Sequence, residues 1–314
     1  MGIKTRCRGE LRVHPRVYNP DMIARPKAPG YRHLAEHFDV IFLPLRQPLD
    51  LARRRILGPL LKRVHSACDL ACGTGTTAVA LARRGVDVFA VDASAVMCRL
   101  AREKARRAGV EVKVIRADMR DFTLPRAVDL ILCEGDSLNH LPEREDLHRV
   151  ARSVSRALKP GGLFFFDVNH DKGFEKYWAG EFWVERPDLV AAMHNGHNPR
   201  AHRAWSDVDL FVRDGRLWRR FRERVEEICW TRSEIRQSLR AAGFASVRCW
   251  DAAPFFRGYP DFAPGCRSVF LARKPLQGPI SVSPLSPIAK DPHLRTGWRR
   301  LTVRRPAQRR LGLT

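Results

Sequence analysis

The chain has 314 residues, 44% of them hydrophobic and 29% charged, a globular balance with enough length for one large domain or two small ones. No apolar run approaches the ~18 residues of a membrane span, and the basic first residues hold Glu10 and lack the apolar stretch of a secretory signal. The eight cysteines are scattered with no C-x-x-C pair, which reads as reduced thiols in a cytoplasmic protein and excludes a disulfide framework.

The net charge is +23, from 57 Lys+Arg against 34 Asp+Glu. About half of it sits in the two ends. Residues 1–30 form a basic extension expected to be flexible, and residues 275–314 form a Pro- and Arg-rich tail expected to be disordered. A polyanion such as nucleic acid is one partner those ends would serve. An arginine bias spread over solvated faces accounts for the charge equally simply, and no basic stretch is interleaved with aromatics as in single-strand binders. Nucleic acid is therefore not the favoured partner.

Between these ends, over residues 31–274, strand-like and helix-like runs alternate. HSACDLA (65–71) is a first strand, Thr76–Arg84 a helix closed by Gly85, and VDVFAVD (86–92) a second strand. A helix over Ala95–Ala108 leads to a third strand, 110–118. AVDLILC (127–133) is the fourth strand and Pro142–Leu158 a helix with one apolar face. After the Lys159-Pro160-Gly161-Gly162 break comes a fifth strand, LFFFDV (163–168). The rhythm predicts an α/β fold: a doubly wound, mostly parallel seven-stranded sheet covered on both faces. After the fifth strand, alternation over 205–212 and 217–229 around Asp214-Gly215 predicts an antiparallel β insertion, roughly 170–230, that caps the site. Thr231-x-x-Glu234 opens a helix by a capping box, and 246–251 and 267–273 supply the last two strands.

The sharpest segment is Asp69-Leu70-Ala71-Cys72-Gly73-Thr74-Gly75, where the first strand turns into a helix. Glycines there let backbone approach a ligand, and a helix N-terminus favours an anion. Asp92 ends the second strand, where a carboxylate can accept from both hydroxyls of a ribose. Asp118 ends the third and could accept from an adenine amine. Gly73-x-Gly75-x-x-Ala78 also fits a dinucleotide fingerprint, so an NAD(P)-binding oxidoreductase is an alternative. Against it stand Asp69 inside the first strand, and Asp118 and Lys159-Pro160-Gly161-Gly162, which have no part in that fingerprint.

Taken together, Asp69–Gly75, Val91-Asp92-Ala93-Ser94, Ala117-Asp118-Met119-Arg120-Asp121-Phe122 and Leu158-Lys159-Pro160-Gly161-Gly162 resemble the successive motifs of class I S-adenosylmethionine-dependent methyltransferases, in matching order over about residues 31–274. The resemblance is nearest to the glycine N-methyltransferase and aminosugar N-methyltransferase group. Gly135-Asp136-Ser137-Leu138-Asn139-His140-Leu141-Pro142 is similar to that group's stretch after the fourth strand, and Tyr31–Asp39 to the N-terminal helix that closes over the cofactor.

The resemblance implies S-adenosyl-L-methionine as cofactor. Gly73 and Gly75 would form the turn around its methionine part, and the Ala71 carbonyl would accept from its amino group. Asp92, with Ala93 beside it, would hold the ribose, Asp118 and Met119 would flank the adenine, and Cys133 and Gly135 would line the sulfonium; Asp69 belongs to the same first motif. The acceptor would be a small molecule methylated on nitrogen or oxygen. Asp136 stands where the glycine enzymes carry Asn, and the segment 167–170 lacks an arginine for an amino-acid carboxylate. Both features favour an amine over glycine. An RNA or DNA methyltransferase is the alternative, although no Asn-Pro-Pro-Tyr-like stretch follows the fourth strand.

Methyl transfer from a sulfonium is an in-line displacement that needs mainly alignment and exclusion of water. A base matters only for a protonated acceptor. His140 is the first candidate, then Asp136 and Tyr31. No metal is expected, since His194, His197 and His202 lie in a Gly/Asn/Pro segment without Cys or carboxylate at ligand spacing. Six of the seven tryptophans fall between 178 and 250, as an aromatic acceptor pocket or as packing of the insertion.

Overall fold

The computed structural model describes residues 31–178, 180–256 and 262–276. The extension 1–30 and nearly all of the tail 275–314 lie outside them, and so do the expectations made for those ends. Seven strands form one sheet in the order β10-β11-β5-β4-β1-β2-β3. They are β1 (Ser66–Leu70), β2 (Asp87–Asp92), β3 (Lys113–Arg116), β4 (Val128–Cys133), β5 (Leu158–Asn169), β10 (Ser246–Asp251) and β11 (Arg267–Arg273). Neighbouring strands run parallel from β3 through β5, and β11 is antiparallel to both β5 and β10. Every residue of β1 is buried. Helices cover both faces, so the strand shows no alternation of an apolar and a polar side, and its two polar residues, Ser66 and Asp69, are buried with the rest. The edge strand β3 is shorter than the expected 110–118 because nothing pairs it on its outer side, and its two end residues are exposed.

The helices are α1 (Leu34–Phe42), α2 (Gln47–Leu61), α3 (Thr76–Ala82), α4 (Ala95–Arg107), α5 (Asp146–Ala157), α6 (Asp171–Tyr177) and α7 (Arg232–Ala241). Helix α2 was not foreseen; its Leu49, Ala52 and Leu57 pack with Val88, Leu130 and Leu132 on one face of the sheet. Helix α5 starts at Asp146 rather than Pro142, after Arg144 has turned to Glu234 and the ring of Trp230. Helix α7 carries the expected capping box of Thr231 and Glu234.

The insertion is a four-stranded antiparallel sheet, β6 (Gly180–Arg186), β7 (Leu189–Asn198), β8 (Arg203–Asp214) and β9 (Leu217–Ile228), in sequential order. Its third hairpin, between β8 and β9, turns just past Asp214 at Gly215, as the alternation requires. The first two strands escaped the sequence reading. The segment with His194 and His197 is a strand, not a loop. Gly196 lies opposite Trp205, and a Cβ at 196 would stand 2.2 Å from the indole. The glycine that signals a loop in sequence is thus the place where a cross-strand ring lies on the backbone. One face of this sheet buries Leu189, Ala191, Met193, Val208, Leu210 and Val225 against Leu34 and Ile41 of α1. The N-terminal helix is therefore packed on the cap sheet.

Candidate active site

The C-terminal ends of the parallel strands converge where the backbone is least ordinary. Ala71 after β1 has φ 54 and Asp136 after β4 has φ 51. Both carry a Cβ into the left-handed region, a strain that clusters at ligand sites. Gly73 and Gly135, at φ 53 and 74, adjoin them, and no atom lies within 4 Å of where a Cβ would stand on either. Among the described residues these two glycines face open space. Gly75, at φ 80, is different: its Cβ would stand 2.8 Å from the Ala101 Cβ on α4. Close packing of α3 on α4 by itself requires a glycine here.

Asp92 braces the first loop. Its carboxylate accepts the Gly73 amide at 2.9 Å and the Ser94 amide at 2.8 Å. Burial raises its pKa, and those two amides pull it back. A carboxylate has about four acceptor positions, so two remain for a diol. Ala93 follows it at the opening of α4. Asp69 is turned beneath the loop, buried, accepting the Ala78 amide at 2.9 Å. That satisfies one orphan donor of α3, and the amide is then not free for an anion. Burial pushes the Asp69 carboxyl up to about 7.

At the far edge, Asp118 is held by its own neighbour. Arg120 donates to it through the backbone amide at 2.8 Å and the guanidinium at 2.7 to 3.1 Å, which lowers the Asp118 pKa. Met119 lies between them, half-buried against the apolar core. The Cys133 side chain is wholly buried in that core, so only its backbone can face the site.

The second group lies around Gly135. Asp167, near the end of β5, accepts the amides of Gly135 and Asp136 at 2.9 and 3.0 Å, and its Oδ2 also accepts from both Nε and Nη2 of Arg267 on β11. The Asp136 carboxylate accepts from Asn169 Nδ2 at 2.6 Å and lies 3.6 Å from Arg267. The fold thus brings an arginine to the place where the sequence segment 167–170 showed none. Its charge is already shared by two aspartates.

His140 ends the short turn Ser137–His140. Its Nε2 is 3.4 Å from the Tyr31 hydroxyl and 3.8 Å from Glu227 Oε1 of β9. Burial lowers its pKa, so the ring is neutral at physiological pH. Glu227 is 2% exposed, and its Oε2 has no hydrogen-bond partner among the described residues. The fields of Glu227, Asp136, Asp92 and Glu223 all act on Tyr31 and, with burial, raise its pKa well above the phenolic value. The three residues ranked as candidate bases are therefore assembled, and the structure adds Glu227, Asp167 and Arg267, which no local motif marks.

Two further features were illegible in sequence. Glu134 is buried, taking Arg53 of α2 as an ion pair, with Arg46 at 3.7 Å and Thr77 Oγ1 at 3.2 Å. Asp39 of α1 accepts from Thr74 Oγ1 at 2.6 Å, tying that helix to the glycine loop. The tryptophans do not form a shared pocket. Trp230 is buried and donates to the Leu138 carbonyl at 2.8 Å, holding the His140 turn, whereas Trp183 and Trp218 are 56% and 46% exposed.

Comparison with known proteins agrees with this geometry. The family model described as "Methyltransferase domain" matches residues 67–162. A Bacillus subtilis protein bearing the name of a methyltransferase, YqeM, is 30% identical over 178 residues, covering 56% of this chain and 72% of that protein. A dTDP-4-amino-2,3,4,6-tetradeoxy-D-glucose N,N-dimethyltransferase of Saccharopolyspora spinosa is 29% identical over 136 residues, covering 43% of this chain and 50% of that one. Among solved structures, an S-adenosylmethionine-dependent methyltransferase from Clostridium acetobutylicum has a TM-score of 0.65 at 24% identity, over 78% of this chain and 99% of that one. The sugar N-methyltransferase KedS8 of Streptoalloteichus has a TM-score of 0.61 at 20% identity, over 84% and 100%. The two solved structures share the Rossmann-like methyltransferase architecture described above. Strand order, loop geometry and the length of the Bacillus match agree, and the chain belongs to the methyltransferase family.

Proposed function

We propose that this methyltransferase moves a methyl group from S-adenosyl-L-methionine to the nitrogen of a small-molecule amine. When bound, the sulfonium supplies an electrophilic methyl and a good leaving group. The residues fit such a donor. Open space at Gly73 and Gly135 admits its methionine and sulfonium part. Asp92 retains lone pairs for a ribose. Asp118 can accept an adenine amine once Arg120 shifts from it. Relatives with sugar amine and glycine substrates in their names support an amine acceptor, although this chain spans about half the length of each.

The observation that carries the acceptor class is the Glu227 carboxylate, buried beside His140 with one oxygen unpaired. Burial and the field of Asp136 hold the Glu227 carboxyl well above the usual carboxylate range, so its ionised form waits on a cation, while Asp136 and Asp167 already share the Arg267 guanidinium. An uncompensated buried carboxylate is costly, and an ammonium or hydroxylated amine would relieve it. His140, neutral and flanked by the Tyr31 hydroxyl, takes the proton that the amine must lose before it attacks. Helix α1 and the cap sheet shut the acceptor away from bulk water, which strengthens each of these interactions. An oxygen acceptor lacks the cation this site calls for.

The test is Glu227→Gln, isosteric and uncharged. S-adenosylhomocysteine should bind the variant as it binds the parent by calorimetry. Turnover of cationic amines in an acceptor screen should fall about 100-fold, as expected for removing a buried charged partner. Equal turnover of parent and variant would remove the amine reading. Phenols or RNA as the better substrates would replace it.

A further inference from the structure

A second cluster of chemistry-bearing side chains lies where the cap sheet meets the main sheet, and it has no part in the reaction above. Asp171 opens α6, His197 lies near the end of β7, His202 in the turn to β8, and Cys229 one residue past β9. One ligand atom each from Asp171, His197 and Cys229 lie within 4.8 Å of one another. The carboxylate spans two imidazoles: Oδ1 is 3.0 Å from His197 Nε2 and Oδ2 is 2.7 Å from His202 Nδ1.

We propose that Asp171, His197 and Cys229 form a structural site for a borderline-soft divalent metal, zinc in the cell. The donor set decides the class. A thiolate with an imidazole and a carboxylate suits zinc and its neighbours, whereas calcium and magnesium take oxygen alone. Zinc ligands at about 2.0–2.3 Å stand roughly 3.3–3.8 Å apart in a tetrahedron; the Asp171–His197 pair at 3.0 Å is already that close, and no separation in the set, at most 4.8 Å, has more than about an ångström to close. His202 grips the second carboxylate oxygen and orients the first. Such an outer partner is worth about 10- to 100-fold in affinity.

The surroundings are built to hold this arrangement. His202 adopts φ 50, a left-handed conformation that its Cβ disfavours, and its carbonyl accepts the Cys229 amide at 2.9 Å. Phe174 is fully buried beneath and stacks on the His197 ring at 6.0 Å. With Ala204, Trp178 and Cys229 it makes a dry apolar floor. On binding, the metal forms its bond to the Cys229 sulfur, and the thiol proton leaves to solvent. No oxidation is involved. The metal would staple α6, the β7–β8 hairpin and the end of β9. The last of these runs directly into Trp230, which holds the His140 turn.

The sequence reading rejected a metal because no Cys or carboxylate lies near the histidines in the chain. Folding supplies both, from 26 residues before His197 in one case and from the far end of the cap sheet in the other.

The experiment uses the full chain, stripped with a chelator and titrated with cobalt(II), then zinc. We expect one cobalt per chain, a thiolate-to-cobalt charge-transfer band in the near ultraviolet, and its loss on adding zinc. Cys229→Ser should abolish the band, and His197→Ala should weaken binding at least 10-fold. Cys249→Ser, a half-buried thiol elsewhere, should leave it intact. His202→Ala should weaken binding about 10-fold while retaining the band. His197→Ala also guards against misfolding of the cysteine variant, since S-adenosylhomocysteine binding by this variant reports a folded domain. No band in the parent, or an undiminished band in Cys229→Ser, would overturn the site.

Discussion

The Glu223 carboxylate of the cap sheet accepts the backbone amide of Tyr31 at 2.8 Å, and also those of Arg32 at 3.1 Å, His33, and Leu34 at 3.3 Å. One side chain thereby gathers the amides that lead into α1, its N-cap His33 and first residue Leu34 included, and complements the helix dipole. It also fixes Tyr31 at φ 82 with its hydroxyl beside His140. The other end of α1 is tied to the glycine loop through Asp39 and Thr74. The helix thus ties the cap sheet, His140 and the glycine loop together.

Glu223→Ala should therefore act at two levels. Loss of a helix cap costs about 1–2 kcal/mol, read as a lower midpoint in denaturant unfolding. The KM for both substrates should rise together, because the helix bridges both sites. A variant that loses stability with both KM values unchanged would confine Glu223 to a structural cap.

For Asp92, charge and bracing can be separated. Asp92→Asn keeps an acceptor for the Gly73 or Ser94 amide and should weaken S-adenosylhomocysteine about 10-fold. Asp92→Ala loses both braces and the diol contact and should weaken it 100-fold or more, at about 1.4 kcal/mol per tenfold. Calorimetry decides it. Equal binding by parent and alanine variant would return the dinucleotide reading, tested next with nicotinamide cofactors.

Arg267 is the cation that Asp136 and Asp167 share. Arg267→Met should leave Asp136 and Asp167 uncompensated and destabilise the fold by about 3–5 kcal/mol, measured by urea unfolding. Pairing it with Asp167→Leu should recover part of that loss. No recovery would show that the pair is not the origin of the cost.

Asp69 makes stability depend on pH in the direction opposite to a salt-bridged carboxylate. Its folded pKa, about 7, lies above the ordinary value of about 3.9. The folded state then holds a proton that the unfolded chain has released, and stability falls as pH rises from about 4 to about 7. Asp69→Asn cannot ionise. The difference in Tm, variant minus parent, should grow from pH 5 to pH 8, by linkage of a few kcal/mol at most. A constant difference across that range would show that Asp69 stays charged beside Arg46 and Arg53.

What could be read from the sequence was local. The parallel strands announced themselves because burial on both faces demands an unbroken apolar run, and the strand–Gly–helix turn needs its residues side by side. Asp92 stood out by ending a strand, and Asp214-Gly215 by needing a left-handed turn. His140 and Asp136 are legible because they stand in one short stretch, Gly135 to Pro142, that resembles the family's motif after the fourth strand. Strands β6 and β7 were missed because Gly196 answers to a ring on the neighbouring strand, which no local period records.

The sequence by itself determined the α/β order, the donor loop and the acid at each strand end, since these follow from neighbours within a turn or a strand. Tertiary structure alone decided which charges meet. Glu227 reaches His140, Arg267 lies 100 residues from Asp167, Glu223 caps a helix 189 residues upstream, and Cys229 joins Asp171. The physical reason is that a buried charge must find its partner in space, and the chain separation between partners carries no period to read.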